Sequence, residues 1–207
     1  MKTYPSIPKE YSSLGDQIIY VQDKLDGSNI RVEWTKKGGF SKFGTRRRLL
    51  DPNEPIFGQA VTIFNGKYAE DLVPIFKKEK WQKVTLFMEL YGENSFAGNH
   101  LEEDVLDLML FDVQPFKKPF LPPKEFYKLF GHLDVVKSLY VGPFYPELVE
   151  QVKKTSLEGI TFEGVVCKGP FDRKKGGPIM FKIKTDAWLG RLKEYCKGDD
   201  NLFNKLA

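Results

Sequence analysis

The chain reads as one α+β domain built on antiparallel sheet. Two features predict this class: short runs of branched and aromatic residues joined by turn signals, and short helical segments interspersed among them. Size is the third, since 207 residues, 41% hydrophobic and 29% charged, suit one soluble domain with a proper core.

Residues 17–22 (QIIYVQ) and 30–35 (IRVEWT) are strand-like, and Lys36-Lys37-Gly38-Gly39 turns into a third strand, GFSKFG. Between the first two runs Lys24 stands at a tight turn, with Asp26 and Gly27 behind it. Residues 67–80 carry helical periodicity, and Pro74 leaves open a continuous helix, a break or a late start. VTLFMELYG (84–92) and VLDLMLFDV (105–113) are apolar and strand-like. Pro122-Pro123 opens a helix through KEFYKLF and Pro146 another through ELVEQVKKTS, because proline fits a first helical turn. EGVVCKG (163–169) and PIMFKIKT (178–185) are strands, and DAWLGRLKEYCKG closes the chain as one amphipathic helix.

No run of about 18 apolar residues is present to span a membrane. The N-terminus lacks the apolar stretch of a signal peptide. A cytoplasmic protein is therefore expected, with Cys167 and Cys196 reduced. His100 and His132 have no ligand partners at metal-site spacing, which argues against structural zinc. The net charge of +4 is modest but unevenly placed: residues 172–205 hold nine Lys or Arg against five Asp or Glu, and the rest of the chain balances. That surplus suits a phosphate-bearing partner, or is a solvated basic tail.

Charges interrupt several apolar strands: Glu89 in LFMELYG, Asp112 at the end of LMLFDV and Glu163 at the start of EGVVCKG. Lys182 and Lys184 alternate with Phe181 and Ile183, so both lysines face one side of a strand. Placing them there is costly unless they meet anions. Singly, each charge could be a strand end in solvent. Jointly they supply what a nucleoside triphosphate needs: cations for the phosphates, carboxylates for a divalent metal and for sugar hydroxyls.

Lys24-Leu25-Asp26-Gly27 resembles the KxDG motif of the covalent nucleotidyltransferases, the superfamily of ATP-dependent DNA and RNA ligases and capping enzymes. The series continues in the family's order. Phe87-Met88-Glu89-Leu90-Tyr91-Gly92 resembles motif III and Phe111-Asp112 motif IIIa; Glu163-Gly164-Val165-Val166 resembles motif IV and Phe181-Lys182-Ile183-Lys184 motif V. DNA ligases and capping enzymes usually carry arginine two residues after the motif glycine, where this chain has Asn29. Lys-Leu-Asp-Gly-Ser-Asn, Phe43-Gly44-Thr45-Arg46 and Asn94-Ser95-Phe96-Ala97-Gly98 resemble the RNA ligases of the second bacteriophage type and their small stand-alone relatives. The resemblance implies an antiparallel-sheet nucleotidyltransferase core over 1–185, with a C-terminal helix over 186–207 packed on it. Only about twenty residues follow motif V, so the expectation is a core without a C-terminal OB or large helical domain.

It further implies an ATP-dependent RNA ligase, a monomer that seals 5′-phosphate to 3′-hydroxyl ends of RNA, as strands or in an RNA/DNA duplex, with ATP and Mg²⁺ or Mn²⁺ and no membrane partner. Lys24 would be the nucleophile, its pKa lowered by nearby cations or burial. Gln22, Asp23, Arg46, Glu89, Phe111, Lys182 and Lys184 would hold the nucleotide: Glu89 the ribose hydroxyls, Phe111 the adenine face, and the two lysines the α-phosphate. Asp26 and Glu163 would shape the metal site, and Gly27 would let the chain turn sharply behind the nucleophile. Asn29 and the basic tip Arg173, Lys174 and Lys175 would meet nucleic acid. Arg46-Arg47-Arg48 is a phosphate patch or a solvated turn, and only Arg46 carries a match. Two rivals stay open: a related enzyme with another acceptor, a DNA nick ligase or a capping enzyme, and a degenerate core kept as a nucleic-acid-binding module.

Overall fold

Two antiparallel sheets of four strands each frame the site. In the computed structural model, residues 1–9, 14, 16–92, 105–172 and 177–207 are described. The first sheet sets β1 (Ile18–Lys24) between β6 (Ser138–Pro143) and β7 (Gly164–Asp172), and β8 (Gly177–Lys184) pairs the far side of β7. The second sets β2 (Gly27–Thr35) between β3 (Gly39–Thr45) and β4 (Lys83–Tyr91), with β5 (Asp107–Pro115) beyond β4.

Alternation decides which face each sheet buries. In β2, Ile30, Val32 and Trp34 join one core with Phe64 of α1 (Gln59–Lys67), Leu72 and Phe76 of α2 (Ala69–Lys78), and Phe126 and Phe130 of α3 (Pro123–Phe130). Arg31 and Glu33 point to the other face and are buried too, Glu33 against Lys83 at 2.8 Å. In the first sheet Ile19, Val21, Val165, Cys167, Phe181 and Ile183 pack on Leu148 and Val152 of α4 (Glu147–Lys153). A third cluster joins Phe162 to Trp188, Leu192 and Cys196 of α5 (Asp186–Cys196), and Phe203 of α6 (Asp200–Leu206) packs on it.

Three readings of the sequence are settled or changed, and two elements are added to it. Lys24 is not at a hairpin, because β1 and β2 belong to different sheets. Both long edges of each strand are already paired, by β6 and β7 for β1 and by β3 and β4 for β2, so Leu25-Asp26 crosses from one sheet to the other. Pro74 lies inside α2 without ending it, since Leu72 and Phe76 on either side are fully buried and hold the helix. The elements α1 and β6 carry signals too weak to read: α1 contains Gly66, and β6 ends Gly142-Pro143 at a sheet edge, where a missing N–H is tolerated. The closing helix is two helices, parted where Lys197 and Gly198 adopt left-handed φ of 48° and 88°.

Gly27 is needed for closeness rather than for turning. A Cβ there would stand 2.3 Å from the Leu90 carbonyl oxygen. Gly164, which pairs with Lys24 across β1 and β7, has φ +144° and would put a Cβ 2.1 Å from the Ile183 carbonyl oxygen. Gly164→Ala is expected to cost about 3 kcal/mol, combining strained φ with a backbone clash. A denaturant midpoint equal to that of the wild type would contradict this.

Candidate active site

Where the sheets part, a cavity of about 780 Å³ opens, and residues from both sheets, both termini and the loop after β3 line it. Lys24 lines it as the last residue of β1. Its Nζ donates to Glu163 Oε2 at 2.6 Å, and Lys184 Nζ meets Glu163 Oε1 at 2.8 Å, so one buried carboxylate bridges two ammonium groups. Lys182 and Lys184 face the cavity while Phe181 and Ile183 enter the core, as their alternation requires. Glu89 comes from β4, opposite Asn29 of β2, and Asp26 from the crossover.

The remaining expected residues divide. Phe111 lines the cavity half-buried, with Tyr4 edge-on at 5.0 Å. Arg46 is exposed on the wall and donates to the Pro5 carbonyl. Arg47 and Arg48 also line the cavity, and Arg48 is tied to Glu54. Gln22 and Asp23 line it as well, but their side chains turn to structural partners: Gln22 donates to the Tyr127 hydroxyl, and Asp23 accepts from Thr161. Asn29 was expected on the nucleic acid; it lies in the cavity, its Oδ1 buried with no hydrogen-bond partner among the described residues. Arg173, Lys174 and Lys175 lie outside the described residues, as does 94–98. Of the nine basic residues in 172–205, Lys182 and Lys184 belong to the cavity rather than to a solvated tail.

A profile of the RNA ligase family matches residues 17–184. The chain belongs to the RNA ligase family. Among solved structures, an archaeal ATP-dependent RNA ligase is similar with a TM-score of 0.67 and 18% identity, over 95% of this chain and 52% of that one. A Naegleria gruberi RNA ligase with PPi aligns with a TM-score of 0.61 and 19% identity, over 86% of this chain and 52% of that one. A mutant of the Naegleria ligase with ATP and Mn aligns with a TM-score of 0.60 and 18% identity, over 85% of this chain and 52% of that one. This chain thus spans about half the length of the solved structures it matches, and at such identities the likeness concerns the fold. No curated protein matches the chain in sequence.

Within this RNA ligase-family core, sequence reasoning passed over three features. Lys168, buried on β7, donates to the Phe111 carbonyl and to Asp112 Oδ2 at 2.9 Å. A lysine inside the apolar run EGVVCKG was the available signal, of the kind that singled out Lys182. The N-terminal segment is the second. The Tyr4 hydroxyl donates to Asp112, and the Pro8 carbonyl accepts from the Lys182 backbone N–H, so residues 1–9 tie one sheet to the other beside the cavity. The third is the C-terminal wall: Trp188 and Leu206 line the cavity, and Lys182 Nζ donates to the Ala207 carbonyl. No sequence pattern marks the last two features.

The charge state of Lys24 is opposite to expectation. Desolvation lowers its pKa, but Glu163, Glu89 and Asp26 together outweigh that, leaving it above the ordinary lysine value. Glu163 is held below the usual carboxylate range despite burial, by Lys24 and Lys184. Burial pushes Glu89 up to about 8, and Glu163 and Asp26 add repulsion that Lys24 only partly offsets. Burial and Glu163 likewise raise Asp26. Burial brings Lys184 down to about 8 against the pull of Glu163.

The carboxylates of Asp26 and Glu163 offer hard oxygen donors of the kind a small divalent cation takes. Among the described residues no group of three ligands is close enough to complete a site alone. Asp26 and Glu163 would therefore hold such an ion in part, the rest of its shell coming from phosphate and water. Bound there, it would offset the negative charge that raises the Lys24 pKa. No helix among the described residues is long and apolar enough to cross a membrane.

The two groups displaced to about 8 make a stability prediction. Glu89 binds its proton more tightly folded than unfolded, so stability falls as pH rises from about 4.5 to about 8. Lys184 binds its proton less tightly folded, so stability rises from about 8 to about 10.5. For the nucleotide-free, metal-free protein, these groups should place a minimum of unfolding free energy near pH 8. Glu89→Gln should flatten the lower limb only; an unchanged lower limb in that variant would refute the assignment.

Proposed function

We propose that this protein is an ATP-dependent RNA ligase that works through a lysyl-AMP intermediate on Lys24. The single observation that carries this reading is the bridged arrangement Lys24–Glu163–Lys184 in the cavity wall, with Lys182 and Glu89 lining the same cavity. It unites a nucleophile, cations for an α-phosphate and carboxylates for sugar and metal, within a fold shared with ATP-dependent RNA ligases.

Lys24 is stored as an ammonium and must lose a proton to act. Its neutral Nζ then attacks the α-phosphorus of ATP, forming an N–P bond as the P–O bond to pyrophosphate breaks. Lys182 and Lys184 neutralise the α-phosphate oxygens as charge develops. An oxygen of an RNA 5′-phosphate next displaces the lysine amine from AMP. A 3′-hydroxyl then attacks the activated 5′-phosphate, and AMP leaves. Glu89, protonated near neutrality, can donate to one ribose hydroxyl while accepting from another. The core lies over 1–185, with 186–207 packed upon it; RNA with 5′-phosphate and 3′-hydroxyl ends is the partner, Mg²⁺ or Mn²⁺ the metal, a monomer the working form and the cytoplasm its place.

The test is direct. Purified protein incubated with ATP and Mg²⁺ should gain the mass of one AMP, and GTP should not replace ATP. With 5′-phosphorylated RNA the adduct should discharge into joined product. Terminal deoxyribonucleotides on the 3′-hydroxyl side should slow joining, because they lack the 2′-hydroxyl that distinguishes RNA. Failure to form an adduct with either metal would end this reading, and equal joining of all-DNA nicks would redirect it to a DNA ligase.

A further inference from the structure

Among the described residues, three groups contact the Lys184 ammonium. Its Nζ lies 2.8 Å from Glu163 Oε1, 3.5 Å from the Leu206 carbonyl oxygen, and 3.3 Å from the centroid of the Trp188 ring. The last places the ammonium directly on the indole face, well inside the range of a cation–π contact, and Trp188 is only 2% exposed. Trp188 belongs to no motif named above. Its place is nevertheless rigid: Thr185 Oγ1 accepts the Trp188 backbone N–H at 3.0 Å and donates to the Phe162 carbonyl at 2.7 Å. The Thr185 N–H is bonded in turn to the Glu163 carbonyl at 3.1 Å. The start of α5 is thereby pinned to the segment that carries Glu163, and the indole keeps a fixed distance from that carboxylate.

We propose that Trp188 is a positioning residue for nucleotidyl transfer, its indole face holding the Lys184 ammonium in place for the α-phosphate while competing with no anion. The inference rests on the ligase reading above. Glu163 alone is a poor holder for this purpose, because a carboxylate beside the ammonium repels the incoming phosphate and is itself wanted by the metal and by Lys24. A neutral ring attracts the cation through its quadrupole and leaves N–H groups free on the opposite side. Lys184 can then exchange Glu163 for a phosphate oxygen and still be held from below.

The experiment measures the rate constant of AMP-adduct formation and the ATP concentration for half-saturation. The proteins are the wild type, Trp188→Phe, Trp188→Leu, Lys184→Ala and the double variant Trp188→Leu with Lys184→Ala. Trp188→Leu should lower the rate constant by about 10- to 30-fold, with half-saturation moving less than about threefold, because the contact matters most as charge develops. Trp188→Phe keeps a weaker π-face and should recover most of the loss. In the Lys184→Ala background the leucine change should cost little more, since the partner through which it acts is gone. Multiplying losses in the double variant, or equal losses for phenylalanine and leucine, would overturn the proposal by showing that Trp188 only fills space. Should the leucine variant not fold, Trp188→Met, which fills similar space without a π-face, takes its place in the same comparison. Absence of any adduct in the wild type would instead overturn the ligase reading, a distinct result.

Discussion

Lys24→Ala should give no covalent AMP adduct under conditions that label the wild type completely. The loss should be total because no other described lysine occupies its place: Lys182 and Lys184 face the same cavity from another strand, one against Ala207 and the other on Glu163 and Trp188. Folding should survive. Glu163 loses one of its two ammonium partners but keeps Lys184 at 2.8 Å, so its charge is not left bare. The expected cost is about 1.5–3 kcal/mol, the scale of a hydrogen bond to a charged group. Intact mass and a thermal melt on one preparation check both halves. An adduct of undiminished yield in this variant would remove Lys24 from the mechanism.

Glu163→Ala should damage stability and chemistry together. Its two oxygens bridge Lys24 and Lys184, and only 5% of its side chain is exposed. Removing it leaves two ammonium groups facing each other across a poorly solvated space. Breaking a buried pair in this manner costs about 3–5 kcal/mol, which in a chain of this size lowers the melting temperature by roughly 10 °C. Adduct formation should fall to the detection limit. A pH series separates Glu163 from a merely space-filling residue. Its folded pKa is depressed, so the stability it supplies is present above the ordinary carboxylate pKa and disappears as pH falls through the depressed value. The wild type should lose that increment on acidification, and Glu163→Gln, uncharged throughout, should show no such loss. A variant as stable as the wild type at neutral pH would mean that the bridge contributes nothing to the fold.

Much of this site could be read along the chain because it is built on strands. The two-residue period of β8 sends Phe181 and Ile183 inward, and hence Lys182 and Lys184 to one common face, before any partner is known. An acid or lysine inside an apolar run announces itself locally, which is why Glu89, Glu163 and Asp112 stood out. Periodicity says which residues share a face, but not which second surface closes over that face. The apparent hairpin at Lys24 is therefore a crossing between two sheets, because strands more than a hundred residues later occupy both edges of β1. Trp188 and Tyr4 looked like ordinary aromatic residues, and only the packing of the two chain ends against the cavity gives them neighbours there.

The charge on Lys24 shows the division most clearly. Residue type and motif position single it out as the candidate nucleophile, and those are properties of the chain taken alone. Its protonation depends on through-space distances to Glu163, Glu89 and Asp26, two of them far away in sequence, weighed against burial. Coulomb energy falls with distance in space and takes no account of separation along the chain, so only the folded arrangement decides in which direction the pKa of this lysine moves from its ordinary value.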